Sequence, residues 1–176
     1  MKLVTAIVLS TIPMLQTPVT AQPAPASTAL EGVWRSQGYG IVFDIHGQAL
    51  KVYEVTATTC VPAGAGSVDA TPQPGRDATL AFDDGGSFFV RPGGSADHKV
   101  LHGDGAASDL RIDRIAQLPA VCSQPTANTP AGNFEVFSRT FAEHYIAFDL
   151  KKTDWAKVVE ANQPKVKATT TPAELF

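Results

Sequence analysis

Ala78-Thr79-Leu80-Ala81-Phe82-Asp83-Asp84-Gly85-Gly86-Ser87-Phe88-Phe89-Val90-Arg91 decides the fold class. Two short apolar runs flank a turn built of Asp and Gly, the residues that tolerate tight reversal, so the stretch predicts a β-hairpin. Working outward, the same grammar recurs. Residues 40–45 are apolar and β-branched, Gly47 marks a turn, and residues 49–55 resume as a strand, giving a second hairpin. Residues 99–102 are a weaker strand. Leu110, Ile112 and Ala116 alternate with Arg111, Asp113 and Gln117, the pattern of a half-buried strand. Residues 62–75, rich in Gly, Ala and Pro, predict a loop that interrupts the sheet. Six to eight strands at this spacing predict a small antiparallel barrel or sandwich of lipocalin-like type, a meander being the simpler topology, with Trp34 plugging the core.

The chain opens with Lys2, an apolar run over residues 3–15, and Val19-Thr20-Ala21. This is the layout of a signal peptide, too short for a spanning helix and interrupted by Pro13. The expected mature protein begins after Ala21, with Ala24 and Ala26 as alternative sites, is periplasmic or secreted, and has no membrane span once the signal is cleaved. Residues 22–28 predict a flexible N-terminus. Without Lys2 there are 13 basic and 17 acidic residues, a net charge of −4, which argues against nucleic acid as a partner. Cys60 and Cys122 are the two cysteines, and in an oxidising compartment such a pair predicts a disulfide. Unpaired or intermolecular thiols, and a cysteine nucleophile with a distant histidine, are the alternatives.

Past a Pro/Thr/Asn linker at residues 123–132 the apolar period changes from two to about 3.6. Residues 29–122 therefore read as a β domain and 133–176 as a helical segment. Asn133 is the predicted N-cap of a helix whose face carries Phe134, Phe137, Phe141, Tyr145 and Phe148. A second short helix begins at Asp154, has Trp155, Val158 and Val159 on its apolar side, and is ended by Pro164. Thr171-Pro172-Ala173-Glu174 has the layout of a capping box. Five aromatic rings on one helix, together with Trp155, predict a docking face for polypeptide beyond Phe176, with apolar surface left exposed at Phe134, Phe137 and Phe141.

Asn133-Phe134, Phe137, Thr140-Phe141, Glu143-His144-Tyr145, Phe148, Asp149-Leu150, Asp154-Trp155 and residues 170–176 resemble the helical region ahead of the PDZ and catalytic modules in bacterial C-terminal-processing serine peptidases, the tail-specific, tricorn-core-like family. Trp34, Ser36, Gly38, Tyr39, Gly40 and the Tyr53-Glu54-Val55 strand leading to Cys60 are similar to a β domain found in several exported members. The resemblance implies endoproteolysis in a full-length relative, by a serine paired with lysine or histidine in a downstream module. It supplies no catalytic residue to the positions of this chain, and it implies PDZ and protease modules as partners.

Local candidates for chemistry are sparse. Ser95 and Lys99 echo a Ser–Lys dyad, but Gly93, Gly94 and Asp97 predict a polar exposed loop around them. No Gly-x-Ser-x-Gly elbow occurs. His98 and His102 with Asp97 and Asp104 form a carboxylate–imidazole cluster that reads as a solvated loop before a metal site. Asp83-Asp84-Gly85-Gly86 lacks the length of a calcium loop, and His144 reads as a helix-surface or interface residue. Arg139, Glu135 and Glu143 do not make the basic face of a membrane-binding helix. No catalytic residue, metal ligand or cofactor is expected. The functional expectation is a non-catalytic N-terminal portion of an exported serine endopeptidase; the alternative is a free-standing secreted β-barrel module that binds a small apolar ligand or a protein partner.

Overall fold

The computed structural model describes residues 29–71 and 73–175. The predicted signal peptide and flexible N-terminus lie outside the described residues.

Eight antiparallel strands run in sequence order and close into a barrel: β1 (Gly32–Ser36), β2 (Ile41–His46), β3 (Ala49–Val55), β4 (Cys60–Asp69), β5 (Ala78–Phe82), β6 (Ser87–Ser95), β7 (His98–Gly103) and β8 (Asp109–Ile115). β8 pairs with β1, Val33 opposite Ile115 and Ser36 opposite Ile112, so closure leaves no open edge there. The meander prediction holds, and the barrel is the form it takes. Alternation places Trp34, Phe43, Ile45, Leu50, Leu80, Val90, Leu101 and Ile112 inside, each no more than 1 % exposed. They fill the interior. Trp34 is central: its indole Nε1 donates to the Leu30 carbonyl at 2.9 Å, and the Arg114 guanidinium lies 4.2 Å above its ring.

Three strand expectations need correction. Residues 62–69 are not loop but most of β4, whose low apolar content hid it. Gly66 lies so close to the β5 backbone that a Cβ there would sit 2.1 Å from the Ala81 carbonyl oxygen, so the strand requires glycine where its sequence suggested a turn. Ala63 is the extra residue of a bulge, since Tyr53 faces Pro62 while Val52 faces Gly64. β6 continues past Arg91 to Ser95 with a register shift between Pro92 and Ser95. Ala116 lies beyond β8 and is exposed; the inward series ends with Ile112 and Arg114.

A second apolar cluster covers the outside of β1–β3. Val33, Val42, Val55 and Cys60 pack with Cys122, Ile115, Leu118 and Val121, brought back by a 3₁₀ turn at Ala120–Ser123. Cys60 and Cys122 form the disulfide, 62 residues apart in sequence. Closing a loop of that length stabilises the fold by about 4 kcal/mol in the chain-entropy model.

Helices follow: α1 (Pro130–His144), α2 (Phe148–Lys151), α3 (Trp155–Asn162), a 3₁₀ turn (Gln163–Lys165) and α4 (Pro172–Leu175). α1 begins four residues before the expected start. Thr129, not Asn133, is the N-cap: its Oγ1 accepts from the Gly132 N–H at 3.1 Å and Pro130 occupies the first turn. The linker therefore ends at Thr129. Asp154 caps α3 as expected, accepting from the Lys157 N–H, and that bond lowers its pKa. At α4 half of the capping box forms, the Glu174 carboxylate accepting from the Thr171 N–H at 2.8 Å.

Because Trp34 carries the interior packing, Trp34→Ala is expected to cost about 3–5 kcal/mol. Urea denaturation followed by circular dichroism measures this; a loss under about 1 kcal/mol would show that the interior does not depend on it.

Candidate docking surface

The helical segment is held against one end of the barrel by contacts that converge on two turns. The Thr126 N–H donates to the Cys60 carbonyl at 2.8 Å, and the Cys60 N–H donates to Thr126 Oγ1 at 3.1 Å, beside the disulfide. Further along, the Ala57 N–H, at the β3–β4 turn, donates to both carboxylate oxygens of Glu143 at 2.9 and 3.0 Å. Thr58 Oγ1 donates to Glu135. The imidazole of His144 closes on the β1–β2 turn, where a Cβ on Gly40 would sit 2.4 Å from Nε2. Gly40 has φ +68°, so this turn excludes side chains both by backbone conformation and by the room the helix needs. His144 Nε2 is buried and has no hydrogen-bond partner among the described residues. His144 is thus an interface residue between helix and barrel, and it packs on Gly40, which the sequence placed at the start of a strand.

On α1 the aromatic stripe departs from a single helical face. The helix ends at His144, Tyr145 is its C-cap, and Phe148 opens α2. The rings nonetheless meet, because the chain folds back and inserts Trp155 among them. Phe141 and Phe148 stack on Trp155 with centroids 5.4 and 5.1 Å away; Phe137 meets it edge-on at 5.8 Å. Phe137–Phe141 and Tyr145–Phe148 contacts are both 4.8 Å. The Trp155 Nε1 donates to the Ser138 carbonyl at 2.9 Å, which satisfies its polar edge. α3 therefore supplies more of a partner surface than its length suggested.

The cluster still shows an apolar outer side. Phe134 and Phe137 are half-buried, Phe141 is 37 % exposed and Tyr145 41 %, while Ile146 and Leu150 beside them stand 97 % and 81 % exposed. Between α1 and α3 lies an open groove of about 1030 Å³, floored by Phe134, Phe148, Trp155 and Val159, with Arg139 and Glu160 at its edges. Single exposed apolar residues are ordinary; here several stand on consecutive short elements next to an aromatic groove, which makes this face the candidate surface.

The other candidates do not assemble a reactive centre. Ser95 is exposed and its Oγ accepts from the Asp97 N–H. Lys99, expected in an exposed loop, is instead buried on the inner face of β7, its Nζ donating to Asp77 Oδ2 at 2.7 Å. Ion pairing, not proximity to a hydroxyl, defines its surroundings. His98 and His102 face carboxylates on β8, not Asp97 or Asp104. His98 Nδ1 is 2.6 Å from Asp113, and His102 Nδ1 is 2.9 Å from Asp109, which also pairs with Arg91. Both carboxyls are held below the usual range, Asp113 by hydrogen bonds from Gln37 and then His98, Asp109 by that from His102 and then Arg91. Asp97 pairs with Arg114. In the Asp83–Gly86 turn, Asp84 accepts from the Gly86 N–H at 3.2 Å, an ordinary local turn bond. No group of three or more His, Cys, Asp or Glu arranged for a metal is found among the described residues.

Gly40→Val is expected to unseat the C-terminal end of α1 from the barrel. Limited proteolysis should then cut residues 123–129 several-fold faster than in the parent; unchanged cutting would place the attachment elsewhere.

Among known proteins, residues 126–176 match the family model described as the Tricorn protease C1 domain. No curated protein and no solved structure matches the chain. The family match begins at Thr126, which hydrogen-bonds to the Cys60 backbone, and takes in the whole aromatic cluster. Over those residues the helical segment is similar to the C1 domain of tricorn-like proteases.

Proposed function

We propose that this chain is the non-catalytic N-terminal portion of an exported serine endopeptidase, and that it positions or shields PDZ and protease modules through the aromatic face of its helices. The exposed side of the Phe141–Tyr145–Trp155 cluster carries this reading, because it lies within the segment that matches the C1 model and is held on the barrel by Glu143 and His144. Export to the periplasm or beyond is supported by Lys2, the apolar residues 3–15 and Ala21, and by the Cys60–Cys122 disulfide. No helix among the described residues is long and apolar enough to cross a membrane.

The alternative, a barrel that encloses a small apolar ligand, has less support. Trp34, Phe43, Leu50, Leu80 and Leu101 occupy the space such a ligand would need. An independent hydrolase finds no support at Ser95, whose nearest lysine is engaged with Asp77.

Titrating the chain with purified PDZ and protease modules of a tail-specific peptidase from the same genome tests the proposal. Binding by calorimetry is expected, and Phe141→Asp with Tyr145→Asp should weaken it at least roughly thirtyfold, as loss of a central aromatic anchor does. Absence of binding, or binding indifferent to both substitutions, would overturn it. The chain alone should not hydrolyse denatured casein.

A further inference from the structure

Residues 29–31 close the end of the barrel where β8 meets β1. Leu30 is buried in the core and its carbonyl accepts from the Trp34 indole. Arg114, stacked on that indole, donates to the carbonyls of Glu31 and Ala29 and to the Asp97 carboxylate. These bonds hold the backbone of the segment. Its side-chain grip is different in kind. Glu31 Oε2 accepts from the Gly47 N–H at 2.8 Å, and Oε1 lies 3.0 Å from His46 Nδ1. The other imidazole nitrogen, Nε2, lies 3.0 Å from Asp44 Oδ1.

A neutral imidazole has one N–H and can donate to one of these carboxylates, turning a lone pair toward the other. The imidazolium donates to both. Two other charged groups border the arrangement: Lys51, which faces Asp44 across the β2–β3 ladder, and Arg114, which lines the same cleft. The remaining lining residues of that cleft, from Gly32 and Val33 to Leu118, are uncharged.

We propose that His46 is an acid-strengthened clamp on this stopper, so that the base of the barrel is closed under mildly acidic conditions and loosens as the pH rises through neutrality. Release would uncover the apolar floor beneath Leu30. The titration of the two partners agrees in sign. His46 is raised above its ordinary value, by the Glu31 hydrogen bond first and the Asp44 charge next. Its contribution is present below the ordinary imidazole value of about 6.5 and is lost as pH rises through the higher folded value. Glu31 is lowered, chiefly by the Gly47 N–H and then by His46. Its contribution is present above the ordinary carboxylate value of about 4.3 and is lost as pH falls through the lower folded one. The clamp is therefore tightest at about pH 5–6.

Hydrogen exchange of the Trp34 indole N–H, which donates to Leu30, reports on the stopper, and slowly exchanging amides of β7 control for global opening. Corrected for intrinsic rates, indole exchange should quicken several-fold between about pH 5.5 and about pH 8 while the β7 amides do not. In His46→Gln it should be fast already at the lower pH and flat. Asp44→Asn, which leaves the Glu31 contact in place, should move the midpoint to lower pH. A flat profile in the parent protein, a slope that survives His46→Gln, or a midpoint unmoved by Asp44→Asn would each overturn the proposal.

Discussion

The junction at Cys60 ties two kinds of structure into one body. A closed barrel gives its neighbours no free strand to pair with, so a helical segment that follows it must be attached by other means. Here the strand β4 extends past the part of it that pairs with β5, and residues at its start are met by the returning chain. Cys122 bonds to Cys60 covalently, and Thr126 exchanges two hydrogen bonds with its backbone. Pro62, lacking an N–H, and the Ala63 bulge disfavour further pairing along the same stretch. From that anchor α1 runs past the β3–β4 turn, where Glu135 and Glu143 take hold, to the Gly40 turn, where His144 does.

What the attachment presents is an aromatic cluster only partly buried. The rings of Phe137, Phe141, Phe148 and Trp155 stabilise one another by stacking and edge contacts, each worth about 0.5–1.5 kcal/mol beyond area burial. That self-association gives the short helices a fixed arrangement despite their length. It leaves Phe141, Tyr145, Ile146 and Leu150 facing outward, in contrast to the barrel, whose interior apolar residues are covered almost completely. The division of labour follows: the barrel supplies rigidity, and the helices supply a surface that an additional apolar partner would bury.

Much of this was legible in the residues. The Asp83–Gly86 turn, the alternation around Ile112 and the cysteine pair carry local signals strong enough to give a barrel-like meander and its disulfide. β4 was not legible, because its Gly66 answers to a neighbouring backbone that no local pattern reveals. Lys99 was misread for a related reason: its partner Asp77 is far away in sequence, and the flanking glycines belong to a bulge. The aromatic residues of the cluster were legible as a set, but a helical period could not show that the chain turns at Tyr145 and returns Trp155 into their midst. Gly40 left the faintest trace, since its contact partner lies 104 residues away in sequence.

The chain has two tryptophans, one in each part, and each indole has its own carbonyl acceptor: Leu30 for Trp34 and Ser138 for Trp155. Following both indole resonances by NMR through a urea titration of the oxidised protein tests directly whether barrel and helices are one body. Loss of the two signals at the same urea concentration is the expected result. Disappearance of the Trp155 signal well before that of Trp34 would contradict the account, because the aromatic surface would then not be held by the barrel at all.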